Sequence, residues 1–188
     1  MERGLYPTLT EVEKFARWLQ TTLDISAPLD KQKLETFFAF VSSSLILSTI
    51  IRPSSFTRIT KEEFKNAVIK YDKEAKVNYL VRVYDCKNPA SNAGFVLFTK
   101  EVYDKVLKYI SIVKNHSARE LFIDLRGKAL DSSKLLIVVE KRWNSWRSEK
   151  ILPEKKFSFT RIRKSAHTKH AAETGFGNTL FALGAGHR

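Results

Sequence analysis

The chain lacks a second cysteine. Cys86 stands alone among 188 residues, which excludes an internal disulfide and points to a reducing, intracellular compartment. A long apolar run is missing too. The longest, FFAFVSSSLILSTII at 37–51, contains five serines and threonines and falls short of the ~20 residues a spanning helix needs. It reads as a buried core helix, and no membrane partner is expected. The opening MERGLYPTLTEVEK holds no apolar stretch of the kind a signal peptide requires. No internal repeat or low-complexity segment is present. Metal-ligand spacing is also missing: His167 and His170 lie three apart with no partnering cysteine or acidic pair, so no metal is expected. The last absence is tyrosine. The six tyrosines lie at 6, 71, 79, 84, 103 and 109, and none follows.

What is present in excess is positive charge. The net charge is +13 and the pI about 9.8. Such a balance argues about partners rather than fold and favours polyanions. The charge is also uneven. Residues 1–94 carry 14 basic and 11 acidic side chains, whereas residues 95–188 carry 19 and 9. Within 141–170, ten basic residues face two acidic ones. A hydrophobic fraction of 43% and an aromatic fraction of 12% describe one globular domain with a proper core.

Periodicity and capping signals predict a mainly helical chain with a small antiparallel sheet. Residues 7–23 form an amphipathic helix with Thr8 or Thr10 as cap and Val12, Phe15, Leu19 and Leu23 on one face. Residues 30–50 form a helix apolar nearly all round, and so central. Arg52-Pro53 ends it in a turn. Thr60 to Glu63 reads as a capping box opening a short helix. Strands are expected at 67–71, 76–85 and 94–98, the last two joined by the turn-rich CKNPASNAG. Thr99 caps a helix to about 114, and Asp131 or Ser132 caps another to about 146. Trp143 and Trp146 read as core or interface anchors. A final helix spans 158–172, and the glycine-rich 175–188 frays.

Four cations stand out in chain order. Arg52 lies in IIRPSSFTRIT, Lys87 in the hairpin loop, Arg163 in FSFTRIRKSAHTKHAAETG, and His187 near the last residue. Taken singly, each has an ordinary explanation as a capping, solvated or terminal group. Together with PTLTEVEKFARWL, their order and spacing resemble the catalytic domain of the tyrosine recombinases, or phage-integrase-like enzymes. The resemblance covers residues 7–188. It makes Arg52 the first catalytic arginine, Lys87 the hairpin lysine, Arg163 the arginine of the H-x-x-R helix and His187 the His/Trp position. Ser55 stands where the family carries an acidic residue and Thr160 where it carries the H-x-x-R histidine. The RKSA-x-T pattern is closer to eukaryotic, Crypton-like transposon enzymes.

The resemblance implies phosphoryl transfer on double-stranded DNA without metal or cofactor. In the family a tyrosine attacks the phosphodiester, and the covalent link conserves the bond energy for rejoining. Guanidinium forks suit the charge that builds on the non-bridging oxygens. Arg52 and Arg163 would hold the phosphate, His187 would add a hydrogen bond, and Lys87 would protonate the leaving oxygen. The family's tyrosine follows the His/Trp position, where this sequence has none. The resulting expectation is a single recombinase-like catalytic domain, truncated before the nucleophile and lacking the N-terminal core-binding domain. It would be a monomer off DNA, a possible homo-oligomer on it, and nuclear in a eukaryote. Arg142, Arg147, Lys155, Lys156, Arg161, Lys164 and Lys169, with Lys141, are expected to track the DNA backbone. The alternative is a non-catalytic DNA-binding protein domesticated from a mobile element. An RNA-binding domain finds no RNP-like aromatic motif or GXXG loop to support it.

Overall fold

The computed structural model describes residues 4–49, 51–84 and 94–174, with side chains to 169 in the final helix. Four helices open the chain: α1 (Leu9–Thr22), α2 (Lys31–Thr49), α3 (Pro53–Arg58) and α4 (Lys61–Lys65). Three strands follow, β1 (Val68–Tyr71), β2 (Val77–Val83) and β3 (Gly94–Thr99). Then come α5 (Lys100–Val113), α6 (Ser132–Glu149) and α7 (Phe159–Thr174). The strands make one antiparallel sheet in the order β1-β2-β3, with Ile69 opposite Tyr79 and Tyr79 opposite Phe98. The fold is mainly α with a small antiparallel sheet, as the periodicity implies.

The helix starts follow from local chemistry. Thr8 and Thr60 each accept a hydrogen bond from the N3 amide, and Glu11 and Glu63 reach back to the cap amide, so both are complete capping boxes. Thr99 caps α5 and Asp131 caps α6. One expectation is corrected. Residues 53–58 form α3, where the sequence suggested only a turn, and Pro53 opens the helix at its first position. Proline lacks an amide that would be unpaired there anyway, and its fixed φ suits the first turn. Tertiary packing holds the short helix: Phe56 is fully buried and stacks on Phe122 at 4.3 Å.

Helix α2 runs through the middle, buried on every side, and packs against α1, α6, α7 and β3. Around its first half, Phe37 stacks on Tyr109 at 4.5 Å. On the far side, Trp143 of α6 meets Phe15 edge-on at 5.2 Å and Phe157 at 5.4 Å. Both tryptophans are core residues. The last turn of α2 is pinned to the sheet. Ser48 donates to the Leu97 carbonyl at 2.9 Å, and the Leu97 amide donates to Thr49 Oγ1 at 2.9 Å. That clamp fixes where the chain leaves α2, and Arg52 lies three residues beyond Thr49. Glu63 fixes a second exit, accepting the Tyr84 amide at 2.7 Å where β2 ends. The hairpin loop with Lys87 and the tail with His187 lie outside the described residues, as does the expected fraying of 175–188.

Candidate functional site

Arg52 is the N-cap of α3, in extended conformation, and gives no side-chain cap to the helix. Its side chain is half-buried. Its Nε is fully enclosed and has no hydrogen-bond partner. Buried polar groups are nearly always paired, so an orphaned guanidinium nitrogen needs an explanation.

Arg163 supplies the other half. On α7, Phe159, Ile162 and Ala166 recur at helical spacing and are buried against the body of the protein. Arg163 sits beside Ile162 at the rim of that face, half-buried. Burial, and then the charge of Arg52, push its guanidinium below the ordinary arginine value. Two residues far apart in the chain therefore meet closely enough for their charges to repel. Among the described residues, no carboxylate pairs with either. A half-buried site with two cations and no counterion among the described residues suits an anion. Beside it, Arg163, Lys164, His167 and Thr168 line an open hollow of about 220 Å³.

The other basic residues divide into two groups. Arg147 is buried at 4% exposure, donates from Nε to the Pro153 carbonyl at 2.5 Å, and pairs with Glu11 at 3.2 Å. It also lies over the rings of Trp143 and Trp146. Lys155 pairs with Glu11 at 2.9 Å, and Arg142 and Lys141 with Glu35 at 3.4 and 2.7 Å. Arg142, Arg147 and Lys155 are thus largely inside the fold, linking α6 and its exit to α1 and α2. Lys156, Arg161, Lys164 and Lys169 are exposed along the entry to α7 and the helix itself. Arg161 lies over the Tyr6 ring at 4.9 Å.

Glu11 anchors this framework. Burial opposes its charge, but the Thr8 amide, Lys155 and Arg147 outweigh burial and bring the carboxyl down to about 2. A carboxyl depressed on folding stabilises above its unfolded value near 4.5 and loses that contribution as pH falls toward 2. Glu11→Gln is therefore expected to lower the thermal midpoint at pH 7. The difference from wild type should shrink steadily between pH 4.5 and pH 2. A constant difference across that range would mean that the carboxylate charge is irrelevant to the fold.

No family model and no curated protein matches the chain. Solved structures do. The XerA recombinase superimposes with a TM-score of 0.60 at 12% identity, over 97% of this chain and 55% of that one. The XerH site-specific recombinase, in a post-cleavage complex with palindromic difH substrate, gives 0.66 at 15%, over 97% and 46%. The Tn1549 transposon integrase, in complex with circular intermediate DNA, gives 0.53 at 17%, over 97% and 57%. The chain has a tyrosine-recombinase fold.

It spans about half the length of the solved chains it matches. Within the recombinase fold, Ser55 lies half-buried on α3, one turn from Arg52, and Thr160 lies exposed on the first turn of α7. The tyrosines serve the framework or the surface. Tyr109 is buried, and its hydroxyl exchanges hydrogen bonds with the Ile123 backbone. Tyr79 and Tyr103 stack on each other at 3.8 Å, and Tyr71 and Tyr84 are exposed. Among the described residues, no helix is long and apolar enough to cross a membrane, and no cluster of metal-ligating side chains is present. Sequence reasoning weighed His167 only as a metal ligand. Its place one turn after Arg163 was the signal that it faces the same hollow.

Proposed function

We propose that this chain is the DNA-binding catalytic-domain portion of a tyrosine-recombinase-like protein, an integrase, that acts on phosphodiesters of duplex DNA in recombination or integration. The observation that carries the reading is the Arg52–Arg163 pair: two half-buried guanidinium groups with no carboxylate partner among the described residues. The fold supports it, since the XerH and Tn1549 proteins that share it are described with DNA bound. In this reading the pair takes the two non-bridging oxygens of a phosphate, each fork offering parallel donors. Charge developing during phosphoryl transfer meets donors that are already in place. Lys87 serves as general acid and His187 as a further donor. Lys156, Arg161, Lys164 and Lys169 hold the flanking backbone. In this reading the six tyrosines of the sequence take no part in the covalent step.

The test is duplex binding as a function of salt. Affinity should fall steeply between 50 and 200 mM salt, because each neutralised phosphate releases condensed counterions. Arg52→Ala and Arg163→Ala should each cost roughly tenfold, the scale of one charged hydrogen-bonded contact. Salt-independent binding, or two silent alanine variants, would remove the phosphate site from the account.

Ser55 and Thr160 favour a second reading, a DNA-binding protein domesticated from a mobile element and without catalysis. Reading the transcript past the Arg188 codon separates the two. An in-frame tyrosine codon within a few helical turns supports the enzyme, and an immediate stop codon supports the binding protein.

A further inference from the structure

The hollow lined by Arg163, Lys164, His167 and Thr168 has a chemistry of its own. Among the described residues, three of its four lining side chains carry nitrogen donors and no carboxylate lines it. That composition repels metal ions and suits an anion. Thr168 donates its hydroxyl to the Lys164 carbonyl at 3.0 Å, so its hydroxyl hydrogen is already engaged within the helix. Lys164 and His167 are exposed, whereas Arg163 is half-buried. The hollow therefore opens to solvent on one side and shares Arg163 with the arginine pair on the other. A guanidinium has five N–H donors in a planar fork, enough to serve two anions from different edges.

We propose that this hollow is a second phosphate site, which holds the backbone phosphate next to the one bridged by Arg52 and Arg163. The inference rests on the DNA-phosphate reading of that pair; it adds His167 and assigns Lys164, already placed on the flanking backbone, to the adjacent phosphate. The spacing is suitable. From residue 163 to residue 167 the helix advances about 6 Å. Successive phosphates of one strand are about 3.4 Å apart along the duplex axis. A helix laid obliquely across the strand therefore meets one phosphate at Arg163 and the next at Lys164 and His167. The consequence is register: two adjacent phosphates held from one helix fix where along the strand the arginine pair closes.

The experiment is the salt dependence of duplex binding for Lys164→Ala/His167→Ala, with Lys73→Ala in the exposed β1–β2 turn as a control of similar charge change. The double variant is expected to bind several-fold more weakly, with a log–log salt slope shallower by about 0.9, the value of one phosphate. The slope of Lys73→Ala should match wild type. Lys164→Gln alone should show most of the slope change and guards against a packing artefact in the double variant. A wild-type slope in the double variant overturns the proposal. It does so even if 10 mM inorganic phosphate raises the thermal midpoint of wild type alone, since that would mark a site for a small free anion. If Arg52→Ala weakens binding while the double variant keeps the wild-type slope, only this second site falls. If Arg52→Ala and Arg163→Ala are both silent, the reading beneath it falls as well.

Discussion

Trp143→Ala should lower the stability of the protein by about 3–5 kcal/mol, seen as a fall of roughly 10 °C in the thermal midpoint. Trp143 is fully buried at the centre of an aromatic cluster, between Phe15 of α1, Trp146 of α6 and Phe157 ahead of α7. Removing the indole leaves a cavity bounded by three elements, none of which can collapse without moving the others. The ring also donates from Nε1 to the Lys155 carbonyl at 2.7 Å. That bond tethers the segment which feeds α7, and α7 carries Arg163. Trp143→Phe keeps most of the volume and loses the bond, so a cost of about 1 kcal/mol is expected. DNA affinity measured well below the midpoint should weaken more for Trp143→Ala than for Trp143→Phe. A fall of only a degree or two in Trp143→Ala would show that the cluster is not the keystone of this half of the fold.

The contrast between what the sequence reveals and what it hides follows the range of the interactions involved. The capping box at Thr60 and the cap Thr99 are settled within a few residues and lie where the sequence places them, while the fold selects Thr8 over Thr10 and Asp131 over Ser132. The near-uniform apolarity of α2 likewise announced a central helix. Helix α3 is hidden in the sequence because Pro53 can end one helix as well as start the next, and because Phe56 finds Phe122 only in the folded chain. Helix α6 runs to Glu149, a turn beyond its expected end, since nothing local stops it before Lys150. The basic residues 142, 147 and 155 looked like surface. Their partners, Glu35 and Glu11, lie more than a hundred residues away, so no local pattern could have shown them as internal struts. The meeting of Arg52 and Arg163 is of the same kind. Spacing alone does not give it. Family resemblance suggests it, and in the fold burial and then the charge of Arg52 lower the Arg163 guanidinium.

Arg163→Glu should separate stability from binding. In the wild-type fold, burial and the neighbouring Arg52 both disfavour the Arg163 charge. The pair is therefore a cost to the folded state, tolerated at a site where an anion compensates it. A carboxylate at position 163 still bears the cost of burial, but it exchanges repulsion by Arg52 for attraction. The fold is expected to keep the wild-type thermal midpoint or exceed it. Binding should move the other way. The variant loses a charge-assisted contact and places a negative charge where the phosphate belongs, so duplex affinity should drop by about a hundredfold or more. Arg163→Ala lies between, with slight stabilisation and the smaller, roughly tenfold loss. Thermal melting and duplex titration on the same preparations decide the matter. Loss of stability in step with loss of affinity would make Arg163 a structural arginine. A rising midpoint with vanishing affinity would mark the pair as a site held ready for an anion.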